Sequence, residues 1–255
     1  MSLSWLDRLT LFIHPQRVVL ERQPWRGAAS RQAVDVAPPA AGEADWQPAL
    51  TAADALFKAD GKRGAALHIV VADHFTSYAL LPWSQDIIGK TSRLQMAKAL
   101  FRHTLGERAE KLDIALDRPA FGKNGVAAGI DKHLLAGLRA MAKARHLRLT
   151  SLQPRLIAEL AAHRKQLDNG WFACLDLGWL TLAGLRDGDI ASLRNHRAST
   201  ADPAILAGEL SGLLAAEAAA VNGKKVLISK ISGAAPKLDG WESTVVPAID
   251  GAGHA

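Results

Sequence analysis

Cysteine is nearly missing from this chain: Cys174 is the only one in 255 residues. No intramolecular disulfide can form and no cysteine cluster is available for zinc, so a reducing compartment is expected. Long hydrophobic runs are missing as well. No apolar segment approaches the ~20 residues needed to cross a bilayer, and MSLSWLDRLTLFIHPQRVVL has no basic region ahead of its short apolar run. A cytoplasmic protein without an integral membrane segment is the expectation. GxxxxGK followed by Ser or Thr is absent, as is GxGxxG, which excludes those two phosphate cradles. The nine histidines include neither HExxH nor a pair at ligand spacing with an acidic companion. No metal ligand and no catalytic residue is therefore expected.

Hydrophobic residues make up 49% of the chain and charged residues 22%, with seven tryptophans, the profile of a folded globular protein. The net charge of +6 is unevenly placed. Residues 1–167 carry 24 Lys/Arg against 15 Asp/Glu, or +9, and residues 168–255 carry 7 against 10, or −3. Such a field attracts polyanions in general. Lys143, Arg145, His146 and Arg148 are not accompanied by an aromatic-interleaved strand or a recognition-helix pattern, so no specific nucleic-acid partner is expected. Five histidines, His14, His103, His133, His146 and His163, sit among basic segments and read as surface residues. Trp25, Trp46 and Trp83 lie in or near predicted loops, where aromatics serve as binding anchors.

The chain opens with LTLFIHP and RVVLERQP, two apolar runs around a proline turn, which predict a hairpin. Residues 27–49 show no sustained period and predict a surface excursion, followed by a helix near ALTAADALFKA. ALHIVVADHFTSYALLPW predicts a second strand pair around a polar step at Asp73 and His74. A helix capped by Thr91 or Ser92 follows, then the strand LDIAL, a helix capped by Asp131, the strand LRLTSLQP and a further helix. From residue 168 the plan restarts. FACLDL, LTLAGL and DIASLRN predict a three-stranded meander; Asp202 and Pro203 start an Ala-rich helix; KKVLISK and STVVPA close as strands. Early antiparallel strands running into alternating helices and strands, twice over, predict an α/β architecture with mixed β-sheets flanked by helices. Its two subdomains are 1–167 and 168–255.

That duplicated plan resembles the actin-like (ASKHA, ribonuclease H-like) architecture. LDLGWLT, residues 175–181, is similar to the superfamily's second phosphate loop, with Asp176, Gly178 and Thr181 at its matching positions. Within the superfamily the sequence resembles cytoplasmic assembly proteins of type IV pili and type II secretion, the PilM and GspL kinds. HIVVADHFTSYALLPW, LDIAL, GIDKHLLAGLRAMAKARHLRLTSLQPRLIAEL and WFACLDLGWLTLAGLRDG carry the likeness.

The resemblance implies a fold of two ribonuclease H-like subdomains whose backbone N–H groups and an acid clasp ATP and Mg²⁺. This sequence departs from that pattern. The first phosphate turn would fall on Phe12 to Arg17, where there is neither acid nor glycine and Pro15 removes an N–H donor. Trp179 beside Gly178 crowds the second loop, and Ser232 and Gly233 only imperfectly replace the paired glycines of the adenosine turn. Asp176, Gly178, Thr181 and Gly233 are thus expected as vestigial nucleotide loops, with no cofactor bound. The alternative is an actin-like ATPase with divergent loops and bound ATP and Mg²⁺. The function implied is a non-catalytic platform that docks the short cytoplasmic tail of an inner-membrane pilus or secretion component and contacts an assembly motor ATPase. Without the transmembrane and periplasmic parts of the GspL kind, the chain is expected to be nearer the free PilM kind. It is also shorter than a full chain of that kind, which counts against the accessory subdomain where tail docking would be expected.

Overall fold

The computed structural model describes residues 7–61, 63–87, 89–176, 178–198, 202–230 and 236–249. The chain divides into two compact units, Met1–Thr76 with Ile130–Arg155 and Ser77–Gly129 with Leu156–Ala255.

The first unit is built on the predicted opening hairpin, β1 (Arg8–Ile13) and β2 (Arg17–Gln23). His14 N donates to Arg17 O at 3.0 Å and closes the turn. β1 also pairs in parallel with β4 (Ala66–Val71), which pairs in parallel with β8 (Arg148–Pro154). β3 (Ser30–Asp35) adds to β2 from within the stretch expected to be a surface excursion. Its residues are exposed on both faces, so it lacks the apolar alternation by which strands are recognised. The sheet order is β3-β2-β1-β4-β8. Helices α1 (Gln47–Asp60) and α3 (Lys132–Ala144) share its core: Leu56 and Phe57 of α1 and Leu134, Leu138 and Met141 of α3 lie with Leu11, Ile13, Leu67 and Ile69. α3 starts where the sequence places it, with the Asp131 carboxylate accepting from His133 N at 2.7 Å and Leu134 N at 3.3 Å.

The second unit repeats the pattern. β9 (Gly170–Asp176), β10 (Trp179–Arg186) and β11 (Asp189–His196) form the predicted meander. β12 (Lys225–Lys230) joins β9 in parallel and β13 (Glu242–Val246) joins β12 in parallel. The order β11-β10-β9-β12-β13 has the same sequence of antiparallel and parallel pairings as the first sheet, so the duplication read from the sequence is a duplication of topology. Alternation along β9 divides two cores. Trp171, Ala173 and Leu175 pack with Leu210 and Leu214 of α5 (Pro203–Ala216), while Phe172 and Cys174 pack with Leu156 of α4 (Arg155–His163). Asp202 caps α5 as predicted, accepting from Ala204 N at 2.8 Å and Ile205 N at 3.3 Å.

A smaller sheet completes the second unit. β5 (Thr76–Leu81), β6 (Leu112–Leu116) and β7 (Gly125–Asp131) lie in the order β5-β7-β6, with α2 (Lys90–Leu105) packed through Ala97 and Phe101 against Leu81 and Ala127. Several expectations are corrected here. β4 and β5 are not a hairpin pair: a 3-10 turn at Asp73–Phe75 separates them into different sheets, and Asp73 is buried in that turn. α2 is preceded by Gly89, not capped by Thr91 or Ser92; the Ser92 hydroxyl donates back to Gly89 O at 2.9 Å. His14 and His163 are buried, not on the surface, and His163 Nε2 lies 3.0 Å from Pro247 O. No helix of the described residues is long and apolar enough to cross a membrane.

Candidate functional site

The β9–β10 hairpin holds three of the four candidate residues. Asp176 ends β9 and Trp179 begins β10, paired directly across the ladder. Gly178 lies in the turn with φ 72°, a conformation that glycine adopts without strain, and a β-carbon built there would meet nothing within 4 Å. Ala198 N donates to its carbonyl at 3.1 Å. Gly178 is thus tied to Ala198, with open space where a β-carbon would stand. The flanks are less hospitable. Residues directly opposed on antiparallel strands share a face, so the Trp179 indole stands on the same side of the hairpin as the Asp176 carboxylate.

Thr181 pairs with Cys174 and is fully buried, its hydroxyl without a hydrogen-bond partner. It lies inside the sheet face that α4 covers, one pair deeper than Asp176. Across that face, Cys174 pairs in turn with Ser229 of β12, giving a buried row of Thr181, Cys174 and Ser229. Ser229 Oγ donates to Glu159 Oε1 at 2.8 Å, and Ile249 N donates to the same oxygen at 3.2 Å. Glu159 is fully buried and ties α4 to β12 and to the segment after β13, which is a structural use of its carboxyl group. Sequence reasoning missed this bracket because its members lie on separate elements with no local motif.

Lys230, at the end of β12, sits at the same end of the sheet as Asp176. It pairs with Leu175 and so faces the opposite side, and burial pushes its ammonium pKa below the ordinary lysine value. Gly233 lies outside the described residues. Of the four candidates, the structure thus brings Asp176, Gly178 and Thr181 into one hairpin, with Thr181 in the core. In the first unit, the stretch corresponding to the other expected phosphate turn holds buried His14, then Pro15 and Gln16. Among the described residues no group of three or more His, Cys, Asp or Glu is placed to hold a metal ion.

No protein-family model and no curated protein matches the sequence. Solved structures do match. The cytoplasmic domain of EpsL, an inner-membrane component of the type II secretion system of Vibrio cholerae, is similar with a TM-score of 0.59 at 12% identity, over 94% of this chain and 89% of that one. The PilM–PilN type IV pilus biogenesis complex gives 0.62 at 14% identity, over 95% and 88%. A Bacteroides thetaiotaomicron protein with an actin-like ATPase fold and unknown function gives 0.61 at 10% identity, over 91% and 84%. The chain has the actin-like fold. The likeness to pilus and type II secretion assembly proteins seen in the sequence is present in the structure too. At these identities it establishes architecture, and the chemistry rests on the residues above. The β9–β10 hairpin, on which the sequence led us to expect a second phosphate loop, holds an acid and a glycine, with an indole on the acid's side and a buried threonine.

Proposed function

We propose that this chain is a non-catalytic platform of a type IV pilus or type II secretion-like assembly, working at the cytoplasmic face of the inner membrane. It docks the short cytoplasmic tail of an inner-membrane component and presents a surface to an assembly motor ATPase. Its two actin-like subdomains are residues 1–167 and 168–255, each carrying one five-stranded sheet of the repeated topology. The observation that carries the reading is the state of the clasp within this fold. Thr181 is sealed in the core, Trp179 flanks Asp176, and the opening turn offers His14, Pro15 and Gln16 instead of an acid and a glycine. A clasp needs convergent donors at the phosphate, and too few remain. The architecture shared with EpsL and PilM speaks for the assembly role.

One feature favours a second reading, an ATP-binding protein with divergent loops: Gly178 still presents an open turn next to an acid at the end of β9. Equilibrium binding of labelled ATP with Mg²⁺ to the wild type and to Asp176→Ala tests both. The platform reading expects no binding by either well-folded protein. Tight binding abolished by the substitution would move the chain to the nucleotide-binding members of the fold.

A further inference from the structure

The clasp makes no use of the positive charge carried by residues 1–167, and topology gathers much of that charge at one end of the first unit. Arg8 pairs with Gln23 on one side and with Ala66 on the other, and Ala66 pairs with Arg148. These residues form one rung across β2, β1, β4 and β8, at the opposite end of β1 from the His14–Gln16 turn. Helices α1 and α3 both finish here, since each is followed by a strand that starts on the rung. Gly64 N donates to His146 O at 2.9 Å and joins the loop after α1 to the turn after α3. The β2–β3 turn continues past the rung, pinned by Trp25 N donating to Asp7 Oδ1 at 3.0 Å.

The acids at this end have partners. Asp7 and Asp60 lie 3.1 and 3.9 Å from Arg22, Glu21 lies 3.7 Å from Arg31, and Asp54 holds Arg145 at 2.6 Å and Lys58 at 2.7 Å. Arg8, Arg26, Arg63, Lys143 and Arg148 are exposed, and none of them is in an ion pair among the described residues. Residues 22–34, 63–67 and 143–150 contain no Asp or Glu at all. Lys143 complements the carbonyl end of α3, but Arg8, Arg26 and Arg148 serve no helix end. Amid these cations Trp25 is 53% exposed, with the Arg26 guanidinium 4.2 Å over its ring.

We infer that this end of the first unit seats on an anionic phospholipid bilayer. Trp25 enters the headgroup layer, where an indole has its apolar body and its N–H both satisfied, and the unpaired cations face lipid phosphates. Single-stranded nucleic acid is held on successive aromatic faces along a basic groove, whereas here one indole stands alone on a turn with a guanidinium over it. A specific acidic protein needs its cations preset, and the unpaired side chains at this end are held by no acid. A fluid layer of phosphates suits them. The inference rests on the membrane setting proposed above and adds the surface and the lipid chemistry.

Co-sedimentation of the full chain with phosphatidylcholine vesicles, with and without phosphatidylglycerol, tests it. The variants are Trp25→Ser, the triple Arg26→Gln, Arg63→Gln, Arg148→Gln, and the same triple to Lys, each checked for folding by circular dichroism. Binding should require phosphatidylglycerol and weaken with added salt. Trp25→Ser should lose about tenfold. The Gln triple should lose about a hundredfold, at roughly fivefold for each cation. The Lys triple should bind like the wild type, which a merely structural role of the arginines would not allow. No binding by the wild type, equal binding without phosphatidylglycerol, or binding kept by both folded neutral variants would overturn the inference. Tighter binding of a single-stranded oligonucleotide than of vesicles, lost in the same variants, would assign this end to nucleic acid and overturn the bilayer. Each of these failures leaves the platform reading to the ATP measurement above, whose outcome does not depend on lipid.

Discussion

Replacing Thr181 by valine should make the protein more stable. Thr181 sits mid-strand in β10, fully buried, with its hydroxyl unpartnered between Cys174 on β9 and Asn195 on β11. Burying a hydroxyl without a hydrogen bond costs about 1–3 kcal/mol in protein substitutions. Valine keeps the β-branched shape and the strand preference and exchanges the hydroxyl for a methyl, so that cost is removed with no cavity formed. The gain expected is about 1–3 kcal/mol. A domain of this size shifts by about 2–4 °C for each kcal/mol. Urea unfolding followed by circular dichroism, at unchanged slope, measures it directly. A loss exceeding about 1 kcal/mol would refute the reasoning, since it would mean that the hydroxyl has a partner whose removal costs more than its desolvation. Were the residue a working part of a nucleotide clasp, the same variant would abolish ATP binding while folding normally.

Two further outcomes follow from the second unit. Gly170 has φ 142°, and a β-carbon there would lie 2.5 Å from Lys225 O, so Gly170→Ala should cost about 3 kcal/mol from strain and overpacking, seen as a lowered denaturant midpoint. Desolvation raises the carboxyl of Glu217, but hydrogen bonds from Ser192 Oγ and Arg194 Nε, each 2.7 Å, prevail and hold it below its ordinary 4.5. Its contribution to stability is whole above the ordinary carboxylate range and is lost as pH falls through the depressed folded value. Glu217→Gln should therefore flatten the fall in stability below about pH 5, measured as denaturant midpoint against pH.

What the sequence made legible was local chemistry. The caps at Asp131 and Asp202 were readable because a carboxylate stands ahead of an apolar-periodic run, and the β9–β10–β11 meander because its turns carry glycine between apolar strands. β7 was missed because GVAAGID has small residues in place of β-branched ones, so its strand character comes from pairing in the small sheet and not from propensity. The separation of β4 from β5 was hidden because two apolar runs around a polar step look alike whether they fold back on each other or enter different sheets. In the clasp, Asp176, Gly178 and Thr181 were identified by position, whereas the burial of Thr181 depends on α4 covering a face that only the folded sheet defines. The contact of Trp83 with Phe121 escaped notice for a similar reason. Trp83 stood out alone, but Phe121 lies 38 residues further on and meets it only because β5 and β7 lie side by side in the small sheet.

The lone cysteine gives the molecule a built-in clock. Cys174 lies in β9, the central strand of its sheet, with β10 on one side and β12 on the other, and is 2% exposed. Fraying at either edge strand leaves the thiol covered, so a thiol reagent reaches it only when the middle of the sheet comes apart. With no second cysteine to label, every modified molecule has opened at that one place. The rate of modification then reads the frequency of sheet opening under native conditions, and a ligand that holds the second unit closed would announce itself by slowing that rate.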